Sequence, residues 1–90
     1  MLNKEEIKRY HEDGYIIPEF KMPENDLLEI EKLHDELVKK NPQFLNYCPA
    51  VLEYEKKFLK YCFNEKILNY VGQLIGNNFA LWNSSFFAKP

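Results

Sequence analysis

The most regular run of hydrophobic residues lies in the second quarter of the chain. Its apolar positions recur every three or four residues, the spacing that puts side chains on one face of an α-helix; they are Leu27, Ile30, Leu33, Leu37 and Val38. Pro23 suits the first helical position. A residue that precedes a proline disfavours the helical conformation, so Asn41, which precedes Pro42, should end the helix. The pattern predicts a helix over about residues 23–40.

The first predicted helix is marked by its two ends. Asn3 followed three residues later by Glu6 is a capping-box pattern, and Gly14 suits the left-handed position after a helix. These signals predict a helix over about residues 4–12. A short β-prone run then predicts a strand over residues 15–17, stopped by Pro18.

Two further helices are predicted in the second half of the chain. Apolar and aromatic positions three or four apart predict a helix over about residues 49–62, after a loop over residues 43–50. Asn64 as a cap and Gly76 as a terminator delimit a helix over about residues 65–75.

The last segment changes character and predicts a strand over about residues 79–88, because it is rich in aromatic residues. Side chains alternate between the faces of a strand. Lys89 therefore shares a face with the polar or aromatic residues at alternate positions before it; they include Asn83, Ser85 and Phe87. Trp82 and Phe86 belong to the opposite face.

These elements predict an α+β fold that is mostly helical in this chain. Ninety residues suffice for one small domain. A long apolar strand with little to pair against leaves backbone groups unsatisfied, so we expect the sequence to be cut within a domain.

Composition excludes several classes of protein. A hydrophobic content of 46% with 16% aromatic residues excludes a disordered tail. A net charge of −2, with lysines and glutamates interleaved, argues against nucleic-acid binding. The sequence has neither a signal-peptide pattern nor an apolar run that could span a membrane, so the expected compartment is the cytoplasm. Cys48 and Cys62 are expected to be free thiols, since their spacing fits no metal or redox motif.

Two short histidine patterns imitate an iron-binding signature. They are His11-Glu12-Asp13 and His34-Asp35-Glu36. The signature needs positions i and i+2 on one side, as on a strand, but on a helix these positions point about 200° apart. No third histidine completes a site. We therefore expect His11 to lie at a helix end and His34 at the edge of an apolar stripe, with no metal bound.

Two blocks of the chain together resemble the opening of phytanoyl-CoA dioxygenase-like proteins. The first is the run from Ile7 through Asp13-Gly14-Tyr15 to Phe20, followed by Pro23-Glu24; the second runs from Ile67 to Gly76 and continues through Leu81-Trp82 to Phe86-Phe87-Ala88-Lys89-Pro90. The order and spacing of the blocks agree over nearly the whole chain. Residues 41–60 carry no distinctive match.

The resemblance implies the N-terminal portion of an oxygenase that uses Fe(II), 2-oxoglutarate and O₂ to hydroxylate a small organic substrate. Its fold would be a double-stranded β-helix, or jelly roll, and residues 1–90 would be a single fragment of it. The family's iron ligands and its 2-oxoglutarate-binding arginine lie beyond the Lys-Pro strand. The chain alone is therefore expected to bind no cofactor and to be inactive, with the remainder of the domain as its partner.

One residue of the family's site carries over. The lysine of the Lys-Pro pair helps bind 2-oxoglutarate in the family and matches Lys89 here. By strand alternation, Asn83, Ser85 and Phe87 are then candidates for the lining of the cofactor or substrate pocket. Without the resemblance, Lys89 would be interpreted as a solvated residue at a strand end. The alternative function is a free-standing, mostly helical interaction module that binds a partner through its apolar strand.

Overall fold

The computed structural model describes residues 1–89 and is built mainly from helices. In chain order its elements are α1 (Lys4–Asp13), α2 (Glu24–Lys40), a 3-10 turn (Pro42–Phe44), β1 (Tyr47–Cys48), α3 (Val51–Tyr54), a second 3-10 turn (Lys56–Phe58), α4 (Leu59–Cys62), α5 (Glu65–Ile75) and β2 (Phe86–Phe87). Helical residues make up 58% of the chain, and β1 and β2 form a two-stranded antiparallel sheet. The prediction of a mostly helical α+β chain is therefore confirmed.

The chain divides into two compact units, and both are discontinuous in sequence. The first unit comprises Met1–Lys21 and Phe63–Ala80. The second comprises Met22–Cys62 and the residues from Leu81 onward. The assignment of all 90 residues to one domain stays a prediction.

The first unit is organised by α1 and α5, and the ends of both helices follow from local sequence. The Asn3 side chain accepts a hydrogen bond from the Glu6 N–H at 2.8 Å, and the Glu6 carboxylate accepts one from the Asn3 N–H at 3.0 Å. Gly14 is left-handed, with φ of 84°, and donates its N–H to the Tyr10 carbonyl. Asn64 accepts hydrogen bonds from the first-turn N–H groups of α5. The predicted caps of both helices are confirmed.

A pair of long-range hydrogen bonds holds the chain start in this unit. The Leu2 N–H donates to the Gln73 side-chain oxygen at 2.9 Å, and the Gln73 amide donates back to the Leu2 carbonyl at 3.0 Å. The Leu2 side chain is buried, and Phe20 meets Tyr70 edge-on. The Gln73 side chain of α5 thus stabilises the backbone that precedes α1.

The second unit contains the main hydrophobic core. Its buried members are Leu37, Cys48, Val51 and Phe58, with six half-buried neighbours packed against them: Ile30, Leu33, Phe44, Leu52, Tyr61 and Phe86. The apolar stripe of α2 supplies Ile30, Leu33 and Leu37, as the periodicity predicts. Leu27 is half exposed (52%), because the first turn of α2 lies beyond the edge of this core.

The predicted helix over residues 49–62 is wrong, since the chain breaks into α3, a 3-10 turn and α4. Ala50 before α3 is left-handed (φ 51°), and Glu55 after it is extended (φ −147°). Contacts outside the segment favour the break. The Val51 N–H donates to the Ser84 carbonyl at 2.9 Å, and the Tyr54 ring packs against Phe44. Tertiary contacts here outweigh the helical periodicity.

Both strand predictions require correction. Residues 15–17 form no strand, because no strand edge pairs with them among residues 1–89, and Ile17 is 82% exposed. Of the strand predicted over residues 79–88, only Phe86–Phe87 is formed, opposite Tyr47–Cys48. The partner strand lies in the predicted loop over residues 43–50. A strand extends only as far as its partner provides backbone groups, and β1 provides two residues.

No helix within residues 1–89 combines the length and apolar character that crossing a bilayer requires.

Two leucines of α2 provide a test of the core. Leu37→Ala should lower the free energy of unfolding by about 2–4 kcal/mol, because Leu37 is 4% exposed and its truncation leaves a cavity. Leu28→Ala, at a position 57% exposed on the same helix, should change it by less than about 0.5 kcal/mol. Urea unfolding followed by circular dichroism measures both. Equal effects of the two substitutions would contradict this core assignment.

Candidate functional site

The segment that precedes Lys89 presents two different faces. From Ser84 to Lys89, half-buried and exposed residues alternate strictly. Ser84, Phe86 and Ala88 are half-buried, whereas Ser85, Phe87 and Lys89 are exposed. This is the period of two that strand geometry imposes. The predicted grouping of Ser85, Phe87 and Lys89 on one face is therefore observed.

The alternation does not extend to the start of the predicted strand. Residues 79–83 are all exposed, and Trp82, predicted on the face opposite Lys89, is 98% exposed. The Asn83 side chain turns to its own backbone and accepts a hydrogen bond from the Ser84 N–H at 2.8 Å. Asn83 is thus exposed, like Ser85, Phe87 and Lys89, but its amide oxygen is already bonded to the neighbouring backbone N–H.

The inner face is fixed by Phe86. Its ring centroid lies 4.9 Å from that of Phe58 and 5.2 Å from that of His34. Cys48, directly across the sheet from Phe86, is fully buried. Backbone hydrogen bonds extend the pairing on both sides of β2. The Ala88 N–H donates to the Asn46 carbonyl, and the Val51 N–H of α3 donates to the Ser84 carbonyl. The segment leading to Lys89 is therefore anchored along its length.

The outer face carries an aromatic pair and a cation. Phe87 is 76% exposed and stacks on Tyr47, with ring centroids 4.7 Å apart and planes 29° apart. Lys89 is exposed, and no ion pair found within residues 1–89 involves its ammonium. The Lys89 ammonium and the Ser85 hydroxyl are both donors that suit a carboxylate. The outer face can thus hold an anionic group beside an apolar surface.

A small cleft adjoins this segment in the second unit. It has a volume of about 170 Å³ and is lined mostly by apolar atoms. Its lining residues are Ile30, Phe58, Tyr61, Cys62, Ser84, Ser85 and Phe86. The cleft is large enough for one medium-sized side chain and too small for most organic cofactors.

A charged cluster beside the cleft was not predicted from the sequence. Lys60 donates to the Glu29 carboxylate at 2.7 Å, and the Tyr61 hydroxyl donates to the same oxygen. The bond from Lys60, followed by that from Tyr61, holds the pKa of Glu29 below its usual value. The same Glu29 bond raises the pKa of Lys60. Desolvation, and then the bond to Glu29, raise the pKa of Tyr61. The cluster joins α2 to α4 by charge-assisted hydrogen bonds.

The histidines and cysteines are placed in different environments. His11 lies in the last turn of α1 beside Tyr10, as predicted for a residue at a helix end. His34 lies against Phe86, and its Nε2 is buried without a hydrogen-bond partner in the part of the chain described. Burial raises the pKa of the Cys48 thiol, and both cysteines are free. No three potential ligands among residues 1–89 are grouped for a metal ion.

Truncation of two adjacent phenylalanines tests the two faces. Phe86→Ala should lower the free energy of unfolding by about 2–4 kcal/mol, because it removes the packing against Phe58 and His34. Phe87→Ala should cost less than about 1 kcal/mol, since it removes one exposed ring stack. Thermal and urea unfolding provide the comparison. A larger loss for Phe87→Ala would reverse the assignment of the faces.

The Glu29 cluster makes a prediction about pH. Because the folded-state pKa of Glu29 is lowered, the stabilisation it gives is present above its unfolded pKa and is lost as the pH falls through the folded pKa. An NMR titration of the Glu29 carboxyl carbon should give a midpoint below that of an ordinary glutamate. Lys60→Met should raise this midpoint, and Tyr61→Phe should raise it less. A midpoint that neither substitution moves would exclude the cluster in solution.

The chain matches no family model, no curated protein and no solved structure. The resemblance to phytanoyl-CoA dioxygenase-like proteins consequently depends on the residues quoted for it and on the outer face that ends at Lys89.

Proposed function

We propose that this chain is the N-terminal part of a phytanoyl-CoA dioxygenase-like Fe(II)/2-oxoglutarate oxygenase, with Lys89 as a ligand of 2-oxoglutarate. The observation that carries the proposal is the exposed position of Lys89 on the same face as Ser85 and Phe87. Lys89 belongs to the Lys-Pro pair on which the sequence resemblance depends. Pro90 itself lies outside the described residues.

The chemistry of the outer face supports a role in carboxylate binding. A lysine ammonium on a flexible stem forms charge-assisted hydrogen bonds to a carboxylate, and the Ser85 hydroxyl offers a further donor. Phe87 stacked on Tyr47 gives this donor set an apolar flank. We assign one carboxylate group of 2-oxoglutarate to the Lys89 ammonium.

The iron of the proposed enzyme is assigned to no residue of this chain. Two histidines and a carboxylate would hold it, and the proposal locates them in the remainder of the oxygenase domain. Bound iron and 2-oxoglutarate would supply the oxidising chemistry. The role of this chain is to orient the cofactor carboxylate through Lys89 and to provide the strand from which Lys89 extends. By itself the chain is expected to have no oxygenase activity.

The finer fold proposed is a double-stranded β-helix. In that fold β2 would be part of an early barrel strand, and the helices would cover the outside of the sheet. The edge of β2 that faces away from β1 is unpaired within residues 1–89, so it is available to further strands. The proposed compartment is the cytoplasm, and the proposed substrate is a small organic molecule, with no role for nucleic acid or membrane.

A second candidate function is a protein-interaction module without enzymatic activity. Exposed aromatic residues in the second unit favour it, since Phe87 is 76% and Trp82 98% exposed. Exposed apolar patches commonly mark binding surfaces. In this case Lys89 would contact a partner protein rather than a cofactor.

Substitution of Lys89 tests the oxygenase proposal. The protein to use is the longest one naturally translated from the reading frame that encodes these residues. Lys89→Ala should raise the 2-oxoglutarate concentration needed for half-maximal succinate formation by about tenfold or more, because a charge-assisted hydrogen bond is lost. Lys56→Ala, at another exposed lysine of the second unit, is the control and should change nothing.

The two candidates predict different results. An unchanged 2-oxoglutarate requirement for Lys89→Ala would remove Lys89 from the cofactor site. A natural product that forms no succinate with any tested substrate and ends near residue 90 would favour the interaction module.

A further inference from the structure

The outward edge of β2 carries unused backbone hydrogen-bonding capacity. The register pairs Phe86 with Cys48, and the Ala88 N–H donates to Asn46, so the backbone groups of Phe86 and Ala88 face β1. In an antiparallel pair successive residues direct these groups to opposite sides. Ser85 and Phe87 therefore direct their N–H and C=O groups away from β1. Within residues 1–89 no strand pairs with this edge.

The cleft described above lies beside that edge. Ser84, Ser85 and Phe86 form one of its walls, and Phe58 and Tyr61 belong to the wall contributed by the helical segments. A strand added alongside β2 would direct alternate side chains towards this inner side. The volume of about 170 Å³ accommodates one aliphatic side chain of such a strand. Backbone pairing would supply affinity, and the cleft would supply selectivity.

The charge on the outer face restricts the partner further. Lys89 is the charged residue of the exposed face that contains Ser85 and Phe87. In an antiparallel arrangement, the N-terminal end of an added strand lies beside Lys89. An acidic residue at that end would form a charge-assisted contact. The complementary segment is thus extended, acidic at its N-terminal end and apolar at alternate positions.

We propose that the outward edge of β2 binds an extended acidic–apolar peptide segment of a partner protein by antiparallel strand addition. A second copy of this chain would pair with the edge through its own β2, but it would not fill the cleft. The inward side chain of its own β2 is Phe86, which is already packed against Phe58 and His34. The proposal rests on the second candidate function, in which no later strand of an oxygenase barrel covers this edge, and it requires only the edge, the cleft and Lys89 as a surface cation.

The test uses the full 90-residue chain and a fluorescein-labelled, C-terminally amidated heptapeptide, Glu-Leu-Thr-Val-Thr-Leu-Ser. In antiparallel pairing its glutamate meets Lys89, and its aliphatic residues face the inner side. Fluorescence anisotropy should give a dissociation constant on the order of 10–100 μM, as expected for a short peptide that must be ordered on binding. The same peptide with both threonine nitrogens methylated should bind at least about tenfold more weakly, because the donors to the edge are removed.

Matched variants of the chain separate the contributions. Ser85→Pro removes an outward N–H and should weaken binding, whereas Ser85→Ala keeps that N–H and should bind about tenfold more tightly than Ser85→Pro. Lys89→Glu should weaken binding and should be rescued by a peptide whose glutamate is replaced by lysine. Ile17→Asp, at an exposed apolar residue of the first unit, is the control for loss of apolar surface. If Ser85→Pro fails to fold, the methylated peptide and the charge exchange still decide the question.

Several outcomes would overturn the proposal. Equal affinity for the methylated and unmethylated peptides would exclude strand addition. If sedimentation velocity shows concentration-dependent dimers and these dimers do not bind the peptide, a second copy of the chain occupies the edge. Binding by the 90-residue chain but not by a longer natural product would mean that the protein's own later strand covers the edge. A raised 2-oxoglutarate requirement of Lys89→Ala would assign Lys89 to the cofactor site and would count against its role at this edge, whereas the methylated peptide tests strand addition without involving Lys89.

Discussion

The packing of Phe86 is the contact on which the second unit depends. Its ring meets Phe58 from the 3-10 turn before α4 and His34 from α2, while its backbone lies opposite the fully buried Cys48. Phe86 therefore connects a helix and a turn through its ring, and the two strands through its backbone. A two-stranded sheet is marginal in water without an apolar surface behind it, so this packing allows β1 and β2 to exist. The outer face and Lys89 are positioned as a consequence.

Local sequence was sufficient to predict the helices that local interactions define. The Asn3 and Asn64 caps and the Gly14 terminator depend on residues within one turn, and all three are found where the sequence indicates. The break at Glu55 and the position of β1 depend on partners some 30 or more residues away. The Val51 N–H bonds to Ser84, and Tyr47 pairs with Phe87. No periodicity within residues 43–62 contains that information.

The candidate site was predictable to the same extent. Alternation along an extended chain was enough to group Ser85, Phe87 and Lys89, because one face of that segment packs against a core. It failed for Trp82, since no strand fixes the residues before Ser84. The Glu29 cluster joins residues 31 and 32 positions apart, so only the folded chain brings it together. Its acidic and basic members appeared in the sequence as ordinary members of solvated helix faces.

The reciprocal hydrogen bonds between Leu2 and Gln73 have a consequence for the order of folding. They close a loop with a sequence separation of 71, and each unit is assembled from two separate stretches of chain. Long loops carry an entropic cost before their contacts form, and folding slows as sequence separation grows. During synthesis, α1 has no α5 to meet until most of the 90 residues have been made. The contacts that join the two stretches of each unit therefore form late, after the second stretch has been made.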